Sequence, residues 1–307
     1  MKSAFACLIA VLALSACGSP AAPAPSVATP MSQPDGLGRE TPADHPASRI
    51  VSLAPSNTEI LFALGAGSQL VGRDSFSDHP AEALNVPDVG GGFMALNMEL
   101  IVSAAPDVVL ASPLTPPEQL ADLENVGLTV HVVPNPATFD ELYANLRSVA
   151  ELTGHEAQGE ALLTALKGRV DAITAQVAEA AEKPLVYYEL DATDPNAPYT
   201  SGPGTFVDLL IRSAGGVNFG ADLGAEWVQV SVEELLARQP DVIILGDYTY
   251  GGVTPEQVRA RAGWDALAAV QENRIFTFDD NLVSRPGPRL VDGLEAMAKL
   301  LHSGIVW

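Results

Sequence analysis

From His155 to Lys183 the chain carries its longest unbroken helical pattern, and the rest of it must be arranged on either side. Leu162, Leu163, Leu166, Val170, Ile173 and Val177 recur at three- and four-residue spacing, while Glu160, Lys167, Asp171 and Glu179 fall off that stripe. Pro184 closes the pattern, because a proline disfavours the helical region for the residue before it. At ~1.5 Å per residue such a helix spans roughly 40 Å, about the width of a small domain. A chain of 307 residues has room for a domain at each end of it.

The two ends read alike. Asn97-Met98-Glu99-Leu100-Ile101 leads through Ala105-Pro106-Asp107 into the β-branched run Val108-Val109-Leu110. Ser231-Val232-Glu233-Glu234-Leu235 leads through Gln239-Pro240-Asp241 into Val242-Ile243-Ile244-Leu245. Both copies have a cap residue, a glutamate in the first turn, a Pro-Asp turn and a buried strand in one shared register. Elsewhere short apolar runs (Ile50–Leu53, Thr129–Val133, Leu185–Leu190, Arg274–Phe278) alternate with helical stretches, and hairpin signals are few. The predicted fold is α/β: two similar lobes, each with a mostly parallel central sheet flanked by helices, joined by one long rigid α-helix. The expected division is 48–137 for the first lobe, 138–183 for the connecting helices and 184–307 for the second lobe.

Residues 1–17 read as a targeting segment. Lys2 precedes an apolar run from Ala4 to Leu14, too short to span a bilayer core of ~30 Å, and Leu14-Ser15-Ala16-Cys17 follows. That tetrapeptide is similar to a bacterial lipobox, in which Cys17 would be acylated and begin the mature protein. Residues 18–47 contain seven prolines among Ala, Ser and Gly and read as a disordered tether. The other cysteine, Cys7, lies in the segment that would be removed, so no disulfide is expected in the mature fold.

The net charge of -22 argues against nucleic acid and anionic membrane surfaces as partners, since both select clustered Lys and Arg. His79, His131, His155 and His302 sit in unrelated segments, so no metal centre is expected. No nucleophile–base arrangement is legible, and the chain is read as a binding protein without a cofactor, not an enzyme. Gly65-Ala66-Gly67 follows a helix instead of opening one, which excludes a nucleotide loop. Ser56-Asn57-Thr58-Glu59 and Thr138-Phe139-Asp140-Glu141 match capping boxes. Aromatic residues in turn-rich loops, such as Phe76 in Ser75–Pro80 and Phe93 after Gly90-Gly91-Gly92, are harder to bury than Phe62 or Trp264, which are expected in the core.

Arg49 to Ala111, with Ser-Leu-Ala-Pro-Ser-Asn-Thr-Glu, Ser-Phe-Ser-Asp-His-Pro, Asn-Met-Glu and Pro-Asp-Val-Val, resembles the substrate-binding proteins of ABC importers for cobalamin, ferric siderophores and haem. So do Pro198 to Gly202, Trp227 to Ser231, Gly263 to Leu267 and Ser284 to Arg289, and the similarity runs from Arg49 to His302. The cobalamin-binding members are the nearest match. The resemblance implies a ligand cleft between the lobes, with Phe76 packing on the corrin ring and Phe93, Tyr199 and Trp227 lining the cleft. It implies ligand contacts from the loop Asn281, Leu282, Val283, Ser284 and Arg285. It also implies that Glu99 and Glu233, one per lobe, dock onto arginines of the permease. A carboxylate at a helix N-terminus is worth ~0.3–1 kcal/mol without any partner, but equivalent glutamates on equivalent lobes suit a two-fold symmetric one. Two departures bear on the ligand: Phe93 replaces a tryptophan, and an aromatic near Leu282 is missing. For a ferric siderophore, Arg73, Arg285 and Arg289 are the arginines placed in candidate loops; for haem, His79 or Tyr199 would be the axial ligand.

The resulting expectation is a monomeric, lipid-anchored, extracytoplasmic protein. It captures cobalamin or a related corrinoid, alternatively a ferric siderophore or haem, and delivers it to an ABC permease. A ligand sensor of the same build and an enzyme built around a metal centre are the remaining alternatives. A single continuous helix between lobes predicts a small hinge motion of a few ångströms. Gly168 is the expected soft point, at ~1 kcal/mol below alanine in helix propensity.

Overall fold

The computed structural model describes residues 31–307 apart from Asp44, Phe93 and Ala181. The expected signal segment, Cys17 and most of the expected tether lie outside the described residues, as does Phe93. The end of the tether is ordered, contrary to its composition: β1 (Met31–Pro34) and β2 (Glu40–Ala43) pair antiparallel. Specific hydrogen bonds attach this hairpin to the body. Gly36 N donates to Val132 O (2.6 Å), and Thr41 Oγ1 lies 2.8 Å from Nδ1 of buried His131. Asp35 bonds Arg39 at 2.7 Å across the turn. Proline content alone does not reveal such partners.

In the first half, β3 (Ile50–Ser52), α1 (Pro55–Ala63), β4 (Leu70–Arg73), α2 (Met98–Ser103), β5 (Val108–Ala111), α3 (Pro117–Asn125) and β6 (Val130–Val132) alternate. Their four strands form a parallel sheet in the order β4-β3-β5-β6. Next come α4 (Phe139–Thr153) and α5 (Glu156–Ala178). The second half holds β7 (Leu185–Glu189), β8 (Tyr199–Ser201), α6 (Phe206–Ser213), β9 (Val217–Asn218), β10 (Trp227–Gln229), α7 (Val232–Arg238), β11 (Val242–Leu245), α8 (Tyr248–Gly251), α9 (Pro255–Arg259), α10 (Ala268–Gln271), β12 (Ile275–Thr277) and α11 (Leu290–Leu301). A second parallel sheet runs β12-β11-β7-β9, and β8 and β10 form a separate antiparallel ribbon. Central strands such as β5 and β11 are buried along their whole length, as expected where helices cover both faces of a parallel sheet.

The repeat seen in the sequence is a structural repeat. Asn97 caps α2 by accepting from Leu100 N (3.1 Å), and Ser231 caps α7 by accepting from Glu234 N (3.2 Å). Ala105 and Gln239, each before the proline, take left-handed φ values of 44° and 49°. The aspartate after each proline then ties two parallel strands together. Asp107 Oδ2 accepts from Ser48 N and Arg49 N (2.7 and 2.9 Å), and Asp241 Oδ2 accepts from Leu185 N (2.7 Å). Their backbone N–H groups donate back, to Arg49 O and Leu185 O. The same device therefore aligns β5 with β3 and β11 with β7.

The connecting helix is shorter than its sequence pattern. It ends at Ala178, six residues before Pro184, because the buried stripe Leu163, Leu166, Val170, Ile173 and Val177 ends there and a further turn would have no core to cover. Its first turns meet the first half, where Gly159 lies close to Ala150 and Leu64. Its last turn meets the second half, with Val177 against Gly215. On one flank Arg169 pairs with Asp292 (2.8 Å) and Glu295 (2.9 Å) of α11. One apolar cluster runs from Ile50 and Leu110 through Leu166 and Ile173 to Val186 and Ile244, so α5 is built into a core shared by both halves.

Neither of the two expected capping boxes closes in full. Thr138 accepts from Glu141 N (3.1 Å), but Glu141 reaches past the cap residue to Ala137 N (2.7 Å). Helix α1, by contrast, starts at Pro55 with Ala54 as its uncapped boundary, so Ser56 to Glu59 lie inside it. Thr58 Oγ1 lies 2.8 Å from both Ser52 Oγ and Ser77 Oγ, and Glu59 has a longer-range role described below. Trp264 is buried as expected, and Phe62 is half-buried against the core.

Candidate functional site

In parallel α/β sheets the chain leaves each strand into a loop at its carboxyl end, and ligand crevices form there. Three such loops of the second half (Leu190–Thr193 after β7, Gly246–Val253 after β11, Asp279–Arg289 after β12) meet one from the first half, Asp74–Pro80 after β4. The meeting point is ionic. Arg285, 5% exposed, donates through Nη1 to Asp78 Oδ1 across the halves, lies 3.7 Å from Glu59 Oε1, and donates through Nη2 to Tyr250 OH (3.0 Å). Arg289 grips the buried Glu59 with both Nε (2.9 Å) and Nη2 (2.5 Å). The Arg285 guanidinium holds the Asp78 carboxyl below the ordinary carboxylate range.

The first-half loop is shaped around Phe76. Buried Asp74 accepts from Phe76 N (3.0 Å) and from Ser77 Oγ, fixing a tight turn that leaves the Phe76 ring 37% exposed. Gly90, Gly91 and Gly92 all take positive φ, and Gly92 lies so close to the ring that an added Cβ would sit 2.6 Å from Phe76 Cδ2 and Cε2. Gly92→Ala therefore meets both a left-handed backbone, at ~1–2 kcal/mol, and the ring itself. The ring is the far end of a flexible side chain, so it gives way. The expected result is a folded protein whose ligand dissociation constant, read by titration, rises about five-fold, equivalent to ~1 kcal/mol.

Beside the ion pairs, the second-half loops enclose a cavity of about 480 Å³ whose wall includes Asp191, Asp247, Tyr250, Asp280 and Ser284. Tyr250 OH donates to Asn281 Oδ1 (2.6 Å) and Ser284 Oγ to Asp280 Oδ1 (2.7 Å). Beneath it, fully buried Glu189 is bound twice by Arg261 (2.5 and 2.8 Å), which lies over the Trp264 ring. Burial, and then the neighbouring Glu189 carboxylate, push the Asp247 carboxyl up to about 7. In the folded chain Asp247 thus keeps a proton that the unfolded chain releases near pH 4, and its contribution is lost as pH rises from about 4 to about 7. Relative to wild type, Asp247→Asn should therefore gain about 2–4 °C in melting temperature between pH 4 and pH 8, roughly 1 kcal/mol in a chain of this size. Equal pH profiles for the two proteins would refute this.

Tyr199 adjoins the cavity: its carbonyl accepts from Leu190 N (2.9 Å), its N–H donates to Asp191 O (2.7 Å), and its side chain is 41% exposed. Trp227 stands on the paired strand opposite Ser201, 38% exposed, with its ring 5.7 Å from that of Phe206. Of the loop expected to touch a ligand, Asn281 and Arg285 are at the junction and Ser284 is on the cavity wall. Val283 is not presented: it is wholly buried in the core, and Leu282 packs half-buried against that core. The short 3-10 turn at Asp280–Leu282 rotates these two apolar side chains inward. Glu99 and Glu233 are far from this chemistry in role; each is the exposed second residue of its helix, α2 and α7. Sequence reasoning missed Glu59, Asp78, Tyr250 and the three cavity aspartates. The one available signal was position, since each aspartate lies within three residues after a strand of the second parallel sheet.

A family model described as periplasmic binding protein matches residues 50–282. An ABC transporter substrate-binding lipoprotein of Bacillus subtilis is 32% identical over 97% of this chain and 95% of its own length. The crystal structure of the periplasmic vitamin B12 binding protein of Vibrio cholerae superposes with a TM-score of 0.72 at 29% identity, covering 84% of this chain and 98% of that one. A periplasmic haem-binding protein from Roseiflexus superposes with a TM-score of 0.74 at 30% identity, again over 84% and 98%.

Proposed function

This chain belongs to the periplasmic binding protein family, the substrate-binding components of ABC importers, and on that premise we propose that its ligand is cobalamin or a related corrinoid, held between the two halves. What supports this reading is a set of part-exposed rings: Phe76 in the first-half loop of the junction, Tyr199 on the strand bonded to Leu190 and Asp191, and Trp227 on the strand paired with it. Flat ligands are bound by such rings from two sides, through stacking and apolar burial. The vitamin B12 binding relative supports the same choice. The protein's work is affinity and orientation, without bond making. An acylated Cys17 would hold it at the membrane, and Glu99 and Glu233 would dock on the permease. Both glutamates are exposed at equivalent positions and have no side-chain partner among the described residues, which supports that role.

Titration of the purified mature protein with cyanocobalamin, haemin and several ferric siderophores, read by absorbance and tryptophan fluorescence, tests the reading. Saturable binding of cyanocobalamin is expected; its absence would sink the corrinoid assignment. A second reading, haem, is favoured by His79, exposed in the same loop as Phe76, and by the haem-binding relative. It requires a haem absorbance spectrum that changes in His79→Ala.

A further inference from the structure

The cavity beside the interlobe ion pairs is rich in acceptors and poor in donors. Asp191, Asp247 and Asp280 stand on its wall. Asp247 is only 8% exposed; its Oδ2 accepts from Ala192 N (3.1 Å), while its Oδ1 has no hydrogen-bond partner. A buried carboxyl oxygen left unpaired is costly, and Asp191 and Asp280 add acceptors beside it, so this wall favours a group that brings donors. Most of the donors already present are committed elsewhere. Ser284 gives its hydroxyl proton to Asp280, and Tyr250 gives its own to Asn281. The backbone N–H groups of Thr193, Gly246, Gly251 and Ser284 are bonded to Asp191, Glu189, Asp247 and Asp280. Arg285 is held by Asp78 and Tyr250, and Arg261 by Glu189. Among the described residues no three His, Cys, Asp or Glu converge as a metal ion requires, so the carboxylates are not a cation cage.

We propose that this cavity seats an N–H-donating arm of the transported ligand, an uncharged primary carboxamide or an ammonium group, and rejects arms that end in a carboxylate. The proposal rests on the reading that the ligand occupies this junction, and it narrows the ligand's chemistry there. A donor arm finds Asp247 and its neighbours ready to accept. A carboxylate arm meets the Asp191 and Asp280 side chains at close quarters, and must lose its water as it enters. Corrinoids carry peripheral carboxamides, whereas haem carries propionates and many ferric siderophores are anionic. The pocket thus separates the candidate ligands by charge where stacking alone would not.

The test uses cyanocobalamin and its monocarboxylic acids, made by hydrolysing one peripheral amide at a time, with haemin alongside. At least one monoacid should bind tenfold or more weakly than cyanocobalamin, and Asp191→Asn with Asp280→Asn should narrow that gap. If cyanocobalamin binds and every monoacid binds equally well, the cavity proposal fails while the corrinoid reading stands. If haemin binds and cyanocobalamin does not, both fail. A ligand-independent arm soaks apo crystals in acetamide, methylammonium chloride or acetate. Density for acetamide or methylammonium against Asp247 supports the proposal, and acetate in the cavity overturns it.

Discussion

Glu59→Ala is expected to lower the free energy of unfolding by about 3–5 kcal/mol, a large fraction of what a domain possesses. The side chain is buried, and Arg289 binds it through two nitrogens while Arg285 lies 3.7 Å away. Removing it leaves the mostly buried Arg289 guanidinium without its carboxylate and takes a second anion from beside Arg285, which keeps Asp78 and Tyr250. The loss should also loosen the junction, because Glu59 comes from the first half of the chain and both arginines from its end. Urea unfolding followed by tryptophan fluorescence measures the cost. Replacing Glu59 and Arg289 together with apolar residues of similar volume should recover much of it, since a buried pair exchanged for packing is often neutral. A single-variant loss below ~1 kcal/mol would show that the cluster is solvated or interchangeable with other contacts.

The second large effect is expected on transport. Glu99→Ala combined with Glu233→Ala should leave ligand affinity within two-fold of wild type and reduce uptake by at least tenfold in cells that depend on this protein. Both glutamates are exposed, and neither touches the junction where Arg285 meets Asp78. Their helices begin in the same way, with caps at Asn97 and Ser231, and end in the same left-handed residue before Pro-Asp. A partner engaging both meets two similar helix N-termini, each with an added negative charge. Desolvated interfacial charge pairs cost several kcal/mol when one member is truncated, which accounts for the size of the expected loss. Unchanged uptake with normal expression would remove the docking role altogether.

Particular residues show how far the chain could be read without coordinates. Asn97, Glu99, Pro106 and Asp107, set beside Ser231, Glu233, Pro240 and Asp241, revealed the repeat because capping and turn chemistry are local. The hydrogen bonds of those aspartates now explain why Pro-Asp recurs: each holds the start of a neighbouring strand. Val283 was misplaced because a loop position does not reveal which way a side chain points, and a 3-10 turn had rotated it into the core. Glu59 was misplaced for a related reason. Its spacing from Ser56 fits a cap, while its partners lie more than two hundred residues away, beyond any local pattern.

The sequence by itself determined the alternation of strands and helices, the duplication and the apolar stripe of the connecting helix, since these depend on neighbours within a few turns. Tertiary structure decided where that helix stops, which depends on whether a core remains to bury its next face. It also decided that the end of the tether folds as a hairpin, through bonds to Val132 and His131. Above all it decided the site. Asp191, Asp247 and Asp280 follow three different strands, and only the order β12-β11-β7 places their loops around one cavity. Strand order is set by packing of whole helices against whole sheets, and no short window of residues encodes it.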